Sequence, residues 1–540
     1  MNNGLIRFIV YALLGVVVGA LVSLVDWLTV EVALGTLLSA PTGVKLVLPA
    51  IGMLVVALIM KFWPGADSKT ADAYVATYHS GTGSEGKALI PRLVASFATI
   101  GSGGAVGMEG PAVAAGATIG RALGDRIPGV LGERPRLELL VAGAAAGIAA
   151  IFKAPATGVL FAIEVPYQRD ISRHGLIPAL IASATSYLTF VTIRDDVPLF
   201  AFPEFAVGLR DELVAAVVIG LVAGVVARGL ARGFHWAKEL ADRYPFRVRW
   251  PVGSVVLAGA FLIANQFADR PVTLGLGSDI TTEIVRDNEI ELLAILVLFA
   301  MRTIATGATL GMGGVGGLFI PLVVQGLLLG RAVELAVGAP STGLYPVIGL
   351  AAVLGSAYRI PLAAIMFVAE TTGRAEFVIP ALVATAIAQS LMGNDTVALG
   401  QRTQRRGQLE RRLIEPSSVV MRDDLGTVSP DASLMEVIDT YGDLGESFAV
   451  PVADPKYCGL MVLRDLASAM LLNGPESTVR EAMRELPSVA ADAPAIDAAR
   501  LMNMHDTAAI AVVDKDGVPV GVISTTSLAG LNSADLGIDE

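Results

Sequence analysis

Cysteine, histidine and charge are all scarce in this chain, and each shortage removes a class of protein. Cys458 is the one cysteine in 540 residues, which excludes an internal disulfide and a cysteine-based metal site. The four histidines, His79, His174, His235 and His505, lie far apart and lack metal-ligand spacing. Only 16% of residues are charged, where a soluble protein carries about a quarter. There is no nucleophile elbow, zinc-ligand motif or Walker-type loop. An enzyme is therefore not expected, and no cofactor is required.

What the chain has is apolar length. Hydrophobic residues make up 54% of it, and the mean hydropathy is +0.65. Apolar runs lie near 5–26, 43–61, 112–120, 139–163, 175–193, 209–231, 251–266, 291–300, 317–330, 343–369 and 377–392. Several reach the roughly 20 residues that span a bilayer as a helix. Others are short or broken by Gly and Pro. Lipid cannot satisfy backbone polar groups, so broken helices must be sheltered by protein. The expectation is an all-α polytopic membrane protein with re-entrant or half-length helices around a polar site. The first run, after Arg7, reads as a retained helix rather than a signal peptide.

Charge is unevenly spread. Residues 421–540 hold 20 acidic and 7 basic residues, net −13, so with a total of −11 the remainder is net +2. Such a tail does not suit nucleic acid or an anionic membrane surface. Arg402, Arg405, Arg406, Arg411 and Arg412 follow the last apolar run, which favours a cytoplasmic junction and tail.

The membrane part repeats itself. GSGGAVGMEGP at 101–111 matches GMGGVGGLFIP at 311–321, and Lys153, Pro155 and Glu164 match Arg359, Pro361 and Glu370. Gly15 and Gly19 match Gly220 and Gly224 more weakly. Two homologous halves follow, at 1–205 and 206–400, with 401–415 as a basic linker. Repeat transporters often bind substrate where broken helices of the two halves aim their N-termini. Glycine lets backbone amides approach an ion, and a helix N-terminus offers free N–H groups. Pro111 and Pro321 suit first-turn positions. The two Gly-rich segments are thus candidates for an anion site without a full positive charge, which favours fast release. Close helix packing is the alternative use of these glycines.

Between Arg92 and Arg121 the only ionisable side chain is Glu109. A carboxylate there costs several kcal/mol unless compensated. Helix-terminal amides would compensate, and those amides are also the proposed anion site. Charged Glu109 and a free anion would compete for the same donors, so the expectation is a gate that protons open. Capping of its own helix is the alternative. Glu164 and Glu370 each end an apolar helix at matching places, so both are read as structural acids.

On these residues the chain resembles the CLC family of chloride channels and chloride/proton antiporters. GMEGP at 107–111, GGLFIP at 316–321 and AGAAAGIAAIFKAPATGVLFAIE at 142–164 carry the resemblance. It implies inverted-topology repeats in the cell (inner) membrane and a likeness of Glu109 to the family's gating glutamate. It further implies anion contacts at Gly107, Met108, Gly317, Leu318, Phe319 and Ile320, chloride as substrate, and a homodimer with one pore per subunit. Some positions depart from the family. Met108 replaces the usual Lys or Arg. The first-half loop GSGIP has no clean match, and its best placement, DSKTA at 67–71, makes Ser68 the hydroxyl donor. The inner tyrosine has no counterpart, Val397 or Leu399 being nearest. Val165 stands where many antiporters place an internal proton-transfer glutamate. A channel is therefore favoured over a coupled antiporter, and the fluoride-exporting branch is disfavoured.

From 415 onward, short alternating segments with amphipathic helices resemble an α/β pair of CBS domains, at 416–472 and 477–530. Such pairs help dimerise their hosts, and some bind adenine nucleotides. The ribose-contacting aspartate is present as Asp465 in the first copy and is Ser527 in the second. A membrane-anchored nucleotide sensor is the reading from a different class.

Overall fold

The computed structural model describes residues 3–63, 68, 70–81, 88–127, 135–172, 175–194, 199–200, 209–404, 412–424, 426–441, 449–474 and 476–529. His174, Arg405, Arg406 and Arg411 lie outside the described residues. The chain forms two compact units, Met1–Gln404 and Arg405–Glu540.

The first unit is helical among its described residues. Its first half contains α1 (Asn3–Asp26), a π-helical continuation (Trp27–Leu34), α2 (Gly35–Ser39), α3 (Thr42–Phe62), α4 (Ala71–Ser80) and α5 (Leu89–Gly101). It continues through α6 (Glu109–Arg126), α7 (Pro135–Phe152), α8 (Pro155–Glu164) and α9 (Leu176–Ile193). The second half contains α10 (Leu209–Arg243), α11 (Phe246–Ala268), α12 (Ser278–Arg286), α13 (Leu292–Gly311) and α14 (Phe319–Val337). Then come α15 (Leu344–Tyr358), α16 (Pro361–Thr372) and α17 (Val378–Leu391). Among the described residues seven helical stretches are long and apolar enough to cross a membrane.

The repeat seen in the sequence is a repeat of packing. α6 lies on α7 as α14 lies on α15. Each pair meets at facing glycines. A Cβ on Gly143 would lie 2.0 Å from the Gly116 carbonyl oxygen, and one on Gly349 would lie 2.4 Å from that of Gly326. Gly15 and Gly19 set α1 against α9, while Gly220 and Gly224 set α10 against α17. In lipid, such close backbone approach gives helices the dispersion contacts that bind them together. Pro155 and Pro361 occupy the first turns of α8 and α16, where a missing N–H is harmless. Lys153 and Arg359, two residues before these prolines, both adopt left-handed backbone, at φ 53° and 61°.

In the second unit, α18 (Leu434–Tyr441) precedes the antiparallel pair β1 (Ala449–Asp454) and β2 (Lys456–Val462), followed by α19 (Leu463–Asn473). The second copy has β3 (Val489–Ala490), α20 (Ala495–Met504), β4 (Ala509–Val513) and β5 (Pro519–Ser524). β3 runs parallel to β4, and β4 antiparallel to β5. Each copy closes its own apolar core, around Val450 and Met461 in the first and Ile510 and Ile523 in the second.

Candidate anion path

The two Gly-rich segments meet at the centre of the first unit. Gly107 and Gly317 exchange both backbone hydrogen bonds, at 2.9 and 2.8 Å. Paired threonines brace the crossing. Thr309 Oγ1 accepts the Ala105 N–H at 3.1 Å, and Thr99 Oγ1 accepts the Val315 N–H at 3.0 Å. The crossing leaves the N-termini of α6 and α14 side by side.

Glu109 is the first residue of α6 and is fully buried. Its Oε1 accepts the Phe319 N–H of α14 at 2.6 Å. The amides of Ile320 and of Glu109 itself also face the carboxylate. Oε2 has no hydrogen-bond partner among the described residues. A Cβ on Gly107 would lie 1.9 Å from Oε2, and one on Gly317 would lie 2.0 Å from Oε1. The carboxylate thus fills a nest that only glycine leaves open, at the positive end of a helix. An anion seeking the same amides must displace it.

Met108 and Leu318 are the N-cap residues of α6 and α14. Met108 and Ile320 line a cavity of about 440 Å³, together with Lys153, Arg194, Asp26 and Asp279. Acids and bases are thus mixed at this mouth, and Met108 adds no charge to it.

Ser68 is exposed. The hydroxyl that reaches the crossing belongs to Thr70, two residues on. Thr70 is buried, donates to the Gly316 carbonyl at 3.1 Å, and would lie 2.4 Å from a Cβ on Gly110. A tyrosine near the crossing comes from elsewhere in the chain. Val397 is packed into the core, and Leu399 is exposed. Tyr358, at the end of α15, is buried and lies close to Glu109 and to the Leu318 backbone. Its ring lies 6.4 Å from Phe319, which also has Phe152 at 4.5 Å, Phe367 at 4.9 Å and Phe161 at 6.0 Å. Phe152 and Tyr358 immediately precede Lys153 and Arg359, so the repeat alignment itself marks the pair.

The family model for voltage gated chloride channels matches residues 51–393. This chain belongs to that family. The CBS domain model matches residues 479–531, the second copy of the pair. An H+/Cl− exchange transporter of Vibrio cholerae is 28% identical over 335 residues, 59% of this chain and 70% of that one. One of Salmonella paratyphi A is 25% identical over 56% of this chain and 66% of that one. The chain thus spans about two thirds of the length of these relatives. Three solved folds agree. A CLC-type fluoride/proton antiporter has a TM-score of 0.64 at 22% identity, covering 74% of this chain and 98% of that one. A slow cyanobacterial Cl−/H+ antiporter has 0.61 at 23%, covering 74% and 96%. A eukaryotic CLC transporter has 0.63 at 17%, covering 97% and 98%.

Membership makes the chain a multi-pass membrane protein whose function is chloride transport of the CLC type, not catalysis, with its CBS pair cytoplasmic. In this CLC chain Glu164 and Glu370 each reach across the repeat. Glu164, ending α8, accepts the Leu362 and Ala363 N–H groups of α16 at 3.1 and 2.8 Å. Glu370, in α16, accepts those of Ala156 and Thr157 of α8 at 2.9 and 2.8 Å. Each carboxylate caps the helix N-terminus of the other half. Val165 is buried, and its carbonyl accepts Gln401 Nε2 at 2.9 Å. Asp465 is held by Arg484 at 2.6 Å, and the Ser527 hydroxyl accepts the Ser524 N–H at 2.9 Å.

Proposed function

We propose that Glu109 gates the chloride path by competing with the anion for the α14 amides, and that the transport is coupled chloride/proton exchange. The 2.6 Å bond from the Phe319 N–H to Glu109 Oε1 carries the gating reading. A deprotonated side chain holds the donors; a protonated one gives up the charge-assisted bond and cedes them to chloride. On this reading Leu318, Phe319 and Ile320 supply backbone donors, Gly107 and Gly317 supply the space, and Thr70, on releasing its bond to the Gly316 carbonyl, replaces Ser68 as the hydroxyl donor.

Packing supports exchange over free conduction. Tyr358 and Phe161, their rings 6.0 Å apart, crowd Phe319 in a closed aromatic cluster. A channel needs an open inner path, and tight ring packing beside Phe319 favours a narrow one. Val165, which carries no proton, supports the channel reading instead. Vesicles loaded with chloride and diluted into low chloride decide between the two. Exchange drives protons uphill, visible on a pH electrode, while a channel moves chloride with no such movement. Repeating the assay with fluoride fixes the anion preference.

For assembly we propose a homodimer with one path per subunit, embedded in membrane lipid. The exposed apolar faces of α9 and α17, with Leu180 and Ile379, support a lipid or subunit contact there. Particle mass in detergent tests the stoichiometry. An adenine nucleotide at the first CBS copy would have to draw Asp465 away from Arg484, so we propose weak binding or none. Titration of the full chain with ATP or AMP tests this.

A further inference from the structure

A second cavity, of about 540 Å³, opens between α10, α11 and α13. Its walls are apolar, and its floor is made of small residues. Gly307 and Gly311 of α13 face Ala237 of α10 with room to spare. A Cβ on Gly311 would meet its nearest neighbour at 3.6 Å, and one on Gly307 at 3.9 Å. The first half is closed at the matching place. There the π-helical continuation of α1 packs on α5, and a Cβ on Gly101, the counterpart of Gly311, would lie 2.8 Å from Ala33 Cβ. The repeat therefore fills this space once and leaves it open once.

The open groove has a charged end. Arg249 lines it from the first turn of α11. Its guanidinium stands over the Phe246 ring at 5.6 Å, and its buried Nε has no hydrogen-bond partner among the described residues. Exposed Trp236 and Tyr244 line the same groove, as aromatic residues do at a membrane–water boundary. Arg228 and Arg232 of α10 pair with Asp395 at 2.7 and 3.1 Å. With Lys238, Arg243, Arg247 and Arg249 they outnumber Glu239, Asp242 and Asp395 at this end of the helices, and an excess of Lys and Arg marks the cytoplasmic side.

We infer that the groove holds an acyl chain of an anionic phospholipid from the cytoplasmic leaflet, with its phosphate on Arg249. Apolar walls suit the chain, and an arginine with an unused donor suits the phosphate. The same arginine touches the pore loop. A Cβ on Gly313 would lie 2.8 Å from Arg249 Nη1. Gly313 belongs to the segment that ends in the Leu318 and Phe319 amides. A bound headgroup fixes Arg249, and a fixed Arg249 braces that segment.

Native mass spectrometry of the full chain in detergent tests the site with phosphatidylglycerol against phosphatidylcholine. One phosphatidylglycerol per chain should be retained with about fivefold preference. Arg249→Gln should abolish the preference, and Gly307→Leu should fill the groove and abolish retention. Chloride flux should rise with phosphatidylglycerol content in the wild type and lose that dependence in both variants. Surface charge alone would act on all three proteins alike. Equal retention of the two lipids, or a preference surviving both substitutions, overturns the site. A change of particle mass in Gly307→Leu with retention unchanged also overturns it, by assigning the groove to a subunit contact. Retention without any flux dependence overturns the coupling to the loop.

Discussion

Glu109 opens α6 and Phe319 opens α14, and the carboxylate of the first accepts the amide of the second at 2.6 Å. The two positions are counterparts in the repeat. One half therefore supplies the gate, and the other supplies the donor it closes on.

Chloride flux should rise as pH falls, because protonation frees the α14 amides. With one gating proton the change is at most about tenfold per pH unit. Glu109→Gln should remove that dependence, and chloride efflux from vesicles at stepped pH checks it. A variant that keeps the wild-type pH profile would refute the gate.

Gly107→Ala places a methyl 1.9 Å from Glu109 Oε2, and its three nearest atoms all belong to that carboxylate. Overpacking of this kind costs about 1–3 kcal/mol. The same change in a Glu109→Ala background should cost far less. Thermal unfolding of the four proteins gives the coupling directly. Equal costs in both backgrounds would mean the nest is not built around the carboxylate.

Glu164→Ala and Glu370→Ala should each lower stability by about 1–2 kcal/mol through loss of a helix cap. Each should leave the pH dependence of flux intact. Unfolding in detergent and the flux profile read the two effects separately. A flattened pH profile in either variant would assign that glutamate to the proton path instead.

Tyr358→Phe removes a buried hydroxyl close to Glu109 and the Leu318 backbone. On the reading that this hydroxyl donates to the anion, its loss is worth about 0.5–1.5 kcal/mol, and chloride binding by titration calorimetry should weaken a few-fold. Thr70→Val should weaken it similarly, while Ser68→Ala should have no effect. A loss confined to Ser68→Ala would reverse the assignment.

Asp465→Asn should not change nucleotide binding, because the carboxylate is already committed to Arg484. Among the described residues, Arg484→Ala leaves Asp465 only its longer contact to Arg464, at 3.7 Å. If the position is a ribose contact, ATP or AMP binding to the full chain should appear in that variant and be lost again in the Asp465→Asn double variant.

Much of this was legible from composition and repetition. Apolar runs broken by glycine and proline imply sheltered half-helices, since lipid leaves no other home for unpaired backbone groups. A lone acid in an apolar stretch points to a site, since burying it needs dedicated donors. Those arguments identified Glu109 and the two Gly-rich segments as belonging together. The choice between Ser68 and Thr70 was not legible. Two neighbouring hydroxyls in an irregular stretch differ only in direction, and direction comes from the turn into α4. Tyr358 was not legible either, because the family pattern points beyond α17, while the ring arrives from α15.

The sequence by itself determined that there are two similar halves, that their glycine segments are special, and that one acid has no local partner. It did so because repetition, periodicity and burial cost are local properties. Only the tertiary structure decided who serves whom. Glu164 caps α16, Glu370 caps α8, and Phe319 holds Glu109, each across some 200 residues of chain. Helix ends need partners but do not specify them. The crossing of the two halves supplies the partners, because it brings three helix N-termini within hydrogen-bond reach of carboxylates from the opposite repeat.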